Sequence, residues 1–206
     1  MKIILATGNH GKIREIESLL GDFEIVAYKD ILEPFEIVED GDSFAKNALI
    51  KAKAIYQKLP ESEKNSIVLS DDSGISVPAL GGEPGIFSAR YAGNNVSDND
   101  NLNRLVKELK SLGVDSARAY YTASIALIAP FGEWVAHGWM YGRVITSPKG
   151  NGGFGYDPMF IPDGFDKTLG DLSSQIKSKI SHRTKALNNI KPVLLMIKNR
   201  LKRGRI

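Results

Sequence analysis

Apolar and polar residues alternate along the first third of the chain at the spacings of strands and helices. Residues 2–7 form an apolar run of strand length, and residues 24–28 and 66–70 predict two further strands. Residues 44–59 carry apolar side chains along one face of a long helix, with Ser43 as its N-cap. A shorter helix between the first two strands is predicted by apolar residues at helical spacing, namely Ile13, Ile16, Leu19 and Leu20.

The middle of the chain predicts one more amphipathic helix and a long hairpin. Asp98 is expected to cap the helix, and Gly113 ends it. Residues 117–129 and 133–146 are long strand candidates, joined by a turn that contains Gly132. Two such strands with so short a connection predict antiparallel pairing.

The end of the chain completes an α/β pattern. A short strand is predicted near residues 158–161, and helical structure from residue 172 onward, with Pro192 expected to kink or divide the last helix. Strands that alternate with helices, together with a hairpin, predict an α/β fold with a mixed sheet. We expect a single domain that spans residues 1–206.

Composition excludes several classes of protein. The chain is 42% hydrophobic and 25% charged, which is typical of a folded globular domain and not of a disordered one. It has no cysteine, which excludes disulfides, thiolate zinc sites and cysteine nucleophiles and suits a reducing compartment. No apolar run is long enough to span a membrane, and the first strand is too short for a signal sequence, so we expect a cytoplasmic protein.

The net charge of +3 arises at the C-terminus. Residues 198–206 contain five basic side chains and no acidic one. Without them, 22 basic residues face 24 acidic ones, and the net charge is −2. Such a tail suits either contact with nucleic acid or a solvated helix end whose cations are favourable at the C-terminal dipole. The near-neutral body favours the second interpretation.

A turn rich in small residues follows the first strand, with the sequence Thr7-Gly8-Asn9-His10-Gly11-Lys12. Free backbone N–H groups at the start of a helix attract anions, and Lys12 adds a full positive charge. The turn is not a Walker A loop, because Ala6 and Ile13 stand where that motif requires Gly and Ser or Thr. It indicates a phosphate-binding turn, with a plain strand-to-helix connection as the alternative.

Two adjacent acids, Asp71 and Asp72, follow the third predicted strand. Carboxylates at the end of a strand can hold Mg²⁺ and accept a proton from water, although Asp is also an ordinary turn residue. Glu39 is either a further metal ligand or a surface acid. Asn47 and Lys51 share a helix face that is directed either at the same ligand or at solvent.

A glycine-rich loop precedes the last short strand, with the sequence Gly150-Asn151-Gly152-Gly153-Phe154-Gly155-Tyr156-Asp157-Pro158. It contains a G-x-G-x-x-G pattern, but the dinucleotide motif needs a helix directly afterwards, and Pro158 disfavours one. We interpret the segment as a flexible loop in which Phe154 lies flat on a planar ligand while Asp157 accepts a hydrogen bond.

Taken in order, these motifs resemble the inosine triphosphate pyrophosphatase family over nearly the whole chain, from Leu5 through Arg183. That family hydrolyses non-standard purine nucleoside triphosphates such as ITP, dITP and XTP. The motifs that carry the resemblance are Ala6-Thr7-Gly8-Asn9-His10-Gly11-Lys12, Ser43-Phe44-Ala45-Lys46-Asn47-Ala48 with Lys51-Ala52, Ser70-Asp71-Asp72-Ser73-Gly74, Pro84-Gly85-Ile86-Phe87-Ser88-Ala89-Arg90-Tyr91, Gly152-Gly153-Phe154-Gly155-Tyr156-Asp157-Pro158 and Ser181-His182-Arg183.

The resemblance implies a role for each matching residue. Asp72 would be the general base and a Mg²⁺ ligand, Glu39 a second metal ligand, and Ser73 a substrate contact. The residues that would hold the triphosphate are Thr7, Gly8, Asn9, His10, Gly11, Lys12 and Lys51, of which Lys12 and Lys51 would be catalytic together with Asp72. The residues that would bind the base are Phe154, Gly155, Tyr156, Asp157, Lys177, His182 and Arg183.

The resemblance also implies a fold and a reaction. The fold would be an elongated central sheet with flanking helices and two lobes around a deep cleft, in a homodimer. Water activated by Asp72 would attack the α-phosphorus and release pyrophosphate and a nucleoside monophosphate. Arg183, a pure donor, would favour the 6-carbonyl of hypoxanthine or xanthine over the 6-amino group of adenine. Lys46 stands where the family commonly has Glu, so the metal is expected to depend on Glu39, Asp71 and Asp72.

Two other functions are alternatives to this one. The first is a nucleotide- or RNA-binding module that uses the basic tail and the aromatic loop. It predicts a salt-dependent affinity for RNA that disappears when residues 198–206 are deleted. The second is a pyrophosphatase for pyrimidine or modified nucleotides, which a panel of substrates would separate from a purine enzyme.

Overall fold

The computed structural model describes residues 1–21 and 23–202, with the backbone alone for His10. The strands are β1 (Lys2–Leu5), β2 (Glu24–Ala27), β3 (Ile67–Ser76), β4 (Ser116–Ala129), β5 (Gly132–Ile145) and β6 (Phe160–Pro162). The helices are α1 (His10–Leu19), α2 (Phe44–Lys58), α3 (Asp98–Ser111), α4 (Ser174–Ile180) and α5 (His182–Lys202). None of the helices in these described ranges is long and apolar enough to cross a membrane.

The strands form one open mixed sheet in the order β2-β1-β3-β4-β5-β6, which confirms the predicted α/β class. β1 is parallel to both β2 and β3, with Leu5 opposite Ala27 on one side and Leu69 on the other. β6 is antiparallel to β5. Because β1 and β2 run in the same direction and end opposite one another, the residues that follow them emerge at the same edge of the sheet, and β3 continues past this edge to Ser76.

The chain divides into two compact units, of which the first contains Met1–Asp72, Ala123–Gly138 and α5 from Arg183. β1 and β3 are buried on both faces, as parallel strands between helices are. Ile67 and Leu69 pack in one core cluster with side chains of α1 and α5, whereas Val68 packs with side chains of α2. Successive residues of β3 therefore face different helices.

The second unit contains Ser73–Thr122 and Trp139–His182. Apolar side chains of α3 pack there against β4, β5 and β6. Tyr91 is part of this core, and its hydroxyl donates a hydrogen bond to Glu83 Oε2 at 3.1 Å. Burial, together with the bond to the Glu83 carboxylate, raises the pKa of Tyr91 to about 12.

Two helices differ from the prediction. Ser97, not Asp98, caps α3. The Ser97 hydroxyl accepts a hydrogen bond from the backbone N–H of Asp100, and the Asp100 carboxylate accepts one from the backbone N–H of Ser97. Helix α5 is not divided at Pro192. Apolar side chains on both sides of the proline, among them Ile190 and Leu194, are fully buried, and this packing holds the helix together where the proline removes a hydrogen bond.

Candidate active site

The turn after β1 supplies its own hydrogen-bond acceptors. Asn9 caps α1, and its Oδ1 accepts from the backbone N–H groups of Gly11 at 2.9 Å and Lys12 at 3.1 Å. Thr7 Oγ1 accepts from the N–H of Asn9 at 3.2 Å. The prediction that these N–H groups are free was therefore wrong, because Asn is among the strongest N-caps. The side chain of His10 lies outside the described residues.

Asp71 and Asp72 lie inside β3 and not in a turn after it, because the strand continues to Ser76. The turn interpretation was wrong for a physical reason. Each carboxylate has a cationic side chain as its partner, so both can be buried within a strand.

Asp71 is neutralised from the face that carries α1 and α5. Its Oδ2 lies 2.5 Å from Lys12 Nζ, and its Oδ1 lies 3.4 Å from Arg183 Nε. Burial opposes ionisation, but the Arg183 and Lys12 cations outweigh it and hold the pKa of the Asp71 carboxyl well below its usual range. Asp71 is therefore an ionised partner of two cations, and its expected part in metal binding stays a prediction.

Arg183 lies in this cluster with its guanidinium fully buried. It pairs with Glu15 of α1 as well as with Asp71. Its predicted contact with a base stays a prediction, because that contact requires the guanidinium to leave two carboxylates. Sequence reasoning missed Glu15, although it lies one helical turn after Lys12 and therefore on the same face of α1.

Asp72 is held from the opposite face, by α2. Lys51 Nζ lies 2.9 Å from Asp72 Oδ1 and 2.9 Å from Glu39 Oε2. Burial disfavours the charged form of Lys51, yet the two carboxylates outweigh it and raise its pKa. Burial also raises the pKa of Asp72, against the effect of Lys51. Asp72 Oδ2 is buried and accepts no hydrogen bond from the described residues.

Polar side chains of α2 and β3 fix this arrangement. Asn47 is buried, and its Oδ1 accepts from the N–H of Gly41 at 2.8 Å, which attaches the loop carrying Glu39 to the helix. Ser70 Oγ donates to Ala48 O at 2.5 Å and joins β3 to α2. The face with Asn47 and Lys51 is thus directed inward, so the alternative of a solvent-exposed polar face was wrong.

The carboxylates of Asp72 and Glu39 could hold Mg²⁺ together with oxygen ligands from outside the chain. Both converge on one cationic group, and Asp72 Oδ2 remains an open acceptor. Among the described residues, no three His, Asp or Glu side chains lie close enough together to hold a metal ion. Mg²⁺ commonly takes one or two carboxylates and completes its shell with water and phosphate oxygens. Lys46 contributes nothing here, since it pairs with Asp42 at 2.6 Å on the exposed surface.

In the second unit, the glycine-rich loop is closed on itself by Asp157. Its Oδ2 accepts from Lys177 Nζ at 3.2 Å and from the N–H of Phe154 at 3.4 Å. Gly153 has a φ of +91°, and a Cβ there would overlap the Asp157 carboxylate, so only glycine fits. The Gly155 N–H donates to Asp98 Oδ2 at 2.8 Å, and the Phe154 side chain is 42% exposed.

Two other residues that were predicted to bind the base are buried in the second unit. Tyr156 is 4% exposed, and its hydroxyl donates to Ser88 O at 2.8 Å. His182 is 8% exposed and stacks on Tyr121, with 4.7 Å between ring centroids and 13° between planes. Their predicted contacts with a base stay predictions, and Ser73 directly follows Asp72 on β3.

Two basic side chains of the tail lie against aromatic rings of their own unit. Lys198 Nζ is 4.9 Å from the centroid of the Phe23 ring, and the Arg200 guanidinium is 4.1 Å from that of Phe131. Arg203 and Arg205 lie outside the described residues. The positions of Lys198 and Arg200 favour the helix-end interpretation of the tail over a nucleic-acid contact.

Known proteins are similar to this chain in both sequence and fold. The model of the Ham1 family matches residues 3–193. The chain is 57% identical over 204 residues to a dITP/XTP pyrophosphatase of Sulfurovum sp. (strain NBC37-1), covering 98% of this chain and 97% of that one. It is 57% identical over 199 residues to one of Nautilia profundicola, covering 97% and 100%. The structure of the Staphylococcus aureus Ham1 protein superimposes with a TM-score of 0.83 at 36% identity, over 94% of this chain and 98% of that one.

Proposed function

The chain belongs to the Ham1 family, and we propose that it is a Mg²⁺-dependent pyrophosphatase for dITP, ITP and XTP that removes non-standard purines from the nucleotide pool. The enzyme class, a nucleoside triphosphate pyrophosphatase that hydrolyses an acid anhydride, follows from relatives that match almost end to end. The metal, the base and the binding mode are supported by the geometry of the first unit.

The charge balance of that unit supports a requirement for metal. The largely buried cluster contains the acids Glu15, Glu39, Asp71 and Asp72 and the cations Lys12, Lys51 and Arg183. It therefore holds one carboxylate more than it holds cations. A triphosphate adds about four negative charges. Binding then needs a further cation, and the pair of Asp72 and Glu39 suits Mg²⁺.

The observation that carries the proposal is the open oxygen of Asp72. Of the two adjacent acids, Asp71 is paired with the cations Lys12 and Arg183 and its carboxyl has a lowered pKa, so it is a poor proton acceptor. Asp72 has a raised pKa and a buried Oδ2 without a hydrogen bond. A carboxylate with these properties is a suitable general base.

In the proposed reaction, Asp72 takes a proton from water while the water oxygen forms a bond to the α-phosphorus. The bond between that phosphorus and the α–β bridging oxygen breaks, and pyrophosphate leaves with the electron pair. Lys12 and Lys51 stabilise the charge on the phosphate oxygens, and the N–H groups of Gly11 and Lys12 join them when a phosphate displaces Asn9 Oδ1. Mg²⁺, when bound by Asp72 and Glu39, would neutralise further charge on the polyphosphate.

The proposed base-binding groups belong to the second unit. The exposed Phe154 ring offers a surface on which a purine can stack. Lys177 is held by Asp157 and can only donate, which suits the 6-carbonyl of hypoxanthine or xanthine. The 6-amino group of adenine would place a donor against a donor, so we propose that adenine nucleotides are rejected.

We also propose a homodimer in the cytoplasm. The absence of cysteine suits a reducing compartment. Trp139 and Tyr141 of β5 are 42% and 54% exposed, and exposed aromatic side chains are enriched at interfaces between subunits. Light scattering at micromolar concentration tests this proposal, since a monomeric mass would contradict it.

A panel of nucleotides tests the function. dITP, ITP, XTP, dATP, dGTP and dTTP are incubated with the protein, with and without Mg²⁺, and pyrophosphate and orthophosphate are measured separately. We expect rapid release of pyrophosphate from the first three with Mg²⁺ only. Equal rates for dITP and dATP would refute the specificity, and orthophosphate as the product would refute attack at the α-phosphorus.

A further inference from the structure

The turn after β2 lies beside the turn after β1. The two strands are parallel, with Leu5 opposite Ala27, so the residues that follow them leave the sheet at the same edge. After β2 the chain forms a 3₁₀ turn at Tyr28–Asp30. Tyr28 is buried and fixes this turn to the core, which leaves Lys29 exposed next to it.

The side chain of Lys29 lies against Gly8. A methyl group placed on the Gly8 Cα would come within 3.0 Å of Lys29 Nζ and 3.4 Å of its Cε. The absence of a side chain at Gly8 therefore lets an ammonium group lie directly on the backbone of the turn after β1. Gly8 is part of the same turn whose N–H groups of Gly11 and Lys12 face Asn9 Oδ1.

Lys29 differs from the other lysines of this region in its charge balance. Lys12 is paired with Asp71, and Lys51 is paired with both Asp72 and Glu39. Lys29, by contrast, has no carboxylate partner within residues 1–21 and 23–202. Among the described residues, the charge of Lys29 is therefore not shared with an acid, whereas the charges of Lys12 and Lys51 are.

We propose that Lys29 is a further phosphate-binding residue, which contacts the polyphosphate of the substrate at the turn containing Gly8. This inference rests on the proposed function, since it assumes that the turn binds a polyphosphate. It assigns to the 3₁₀ turn after β2 a direct part in substrate affinity. Sequence motifs gave no sign of this role, because Lys29 lies 21 positions after Gly8 and the two meet only through the pairing of β1 and β2.

Binding of inorganic tripolyphosphate with Mg²⁺ tests the role of Lys29 without turnover. Calorimetry is carried out on the wild type, Lys29→Met, Lys29→Arg and Lys110→Met. Lys110 is an exposed residue of α3, so Lys110→Met removes the same charge elsewhere. We expect Lys29→Met to weaken binding by about tenfold, which is the loss of one charge-assisted hydrogen bond. Lys29→Arg should restore most of the affinity, and Lys110→Met should leave it unchanged.

Kinetics with dITP provide the second measurement. Lys29→Met should raise KM by a similar factor and change kcat little, because Lys29 binds phosphate without taking part in proton transfer. Equal tripolyphosphate affinity in Lys29→Met and the wild type would overturn the inference, as would an equal loss in Lys110→Met. A wild type that binds tripolyphosphate through Lys29 but does not hydrolyse dITP would refute the proposed function and leave the role of Lys29 intact.

Discussion

Asp71 and Asp72 are consecutive residues of β3 whose carboxylates meet different helices. Asp71 pairs with Lys12 of α1 and Arg183 of α5, whereas Asp72 pairs with Lys51 of α2. The alternation of side chains along a strand produces this separation. Asp71 is therefore ionised between two cations, whereas Asp72 has a raised pKa, and the two are expected to respond differently to the same substitution.

Asp72→Asn should abolish turnover and preserve the fold. The amide cannot accept the proton of the attacking water, so kcat for dITP should fall by about 10³-fold. Nucleotide binding should be largely retained. Rapid-quench kinetics, together with equilibrium binding of dITP, measure both quantities. Activity within tenfold of the wild type would exclude Asp72 as the base.

Asp71→Asn, the matched variant, should act mainly on stability. It leaves Lys12 and Arg183 buried without their shared carboxylate, and removing one partner of a buried ion pair costs about 3–5 kcal/mol. Urea unfolding measures the change in the free energy of unfolding. If Asp71→Asn unfolds like the wild type but is inactive, Asp71 has a catalytic role that its surroundings do not indicate.

Glu39→Gln should change the metal requirement. A neutral amide is a weaker Mg²⁺ ligand than a carboxylate, so the Mg²⁺ concentration for half-maximal dITP hydrolysis should rise by about tenfold or more. Asp42→Asn is the control, because Asp42 lies on the same loop but pairs with Lys46 on the exposed surface. Identical Mg²⁺ titrations for Glu39→Gln and Asp42→Asn would contradict the assignment of Glu39 as a ligand.

Phe154→Ala should weaken substrate binding without loss of stability. The Phe154 ring is 42% exposed, so its removal leaves no cavity. The loss of one aromatic stacking surface should raise KM for dITP by about tenfold. Phe87→Ala is the control, since Phe87 is 51% exposed in the same unit. A KM that does not change in Phe154→Ala would remove Phe154 from the base-binding surface.

Tyr91 should make the protein sensitive to alkali. Its pKa is raised from 10.0 to about 12 in the folded state, so between these values the unfolded chain loses a proton that the folded chain retains. The free energy of unfolding therefore decreases as the pH rises from about 10 to about 12. Urea unfolding at several pH values should show a shallower decrease for Tyr91→Phe. Parallel curves for the two proteins would contradict this assignment.

The sequence alone was sufficient to predict the architecture. The spacing of apolar residues in strands and helices is a local property. It predicted the mixed sheet, the long hairpin formed by β4 and β5, and α2 with its cap at Ser43. Two errors were local, namely the cap of α3 at Ser97 and the capping of α1 by Asn9, and the others lie where tertiary contacts override local preference. Asp71 and Asp72 extend β3 because cations from other elements neutralise them, and Pro192 lies inside α5 because buried side chains hold the helix on both sides.

The chemical state of each candidate residue depended on the tertiary structure. The sequence motifs did not distinguish the chemical roles of Asp71 and Asp72. The two differ because α1 and α5 pack on one face of β3 and α2 packs on the other. Glu15 and Arg183 are 168 positions apart and form an ion pair that no local pattern records. The order of residues determined the strands, the helices and the family, because these depend on near neighbours and on motif order. Burial and charge pairing, which set pKa values and leave an oxygen open, depend on contacts between distant segments, and only the folded chain decides them.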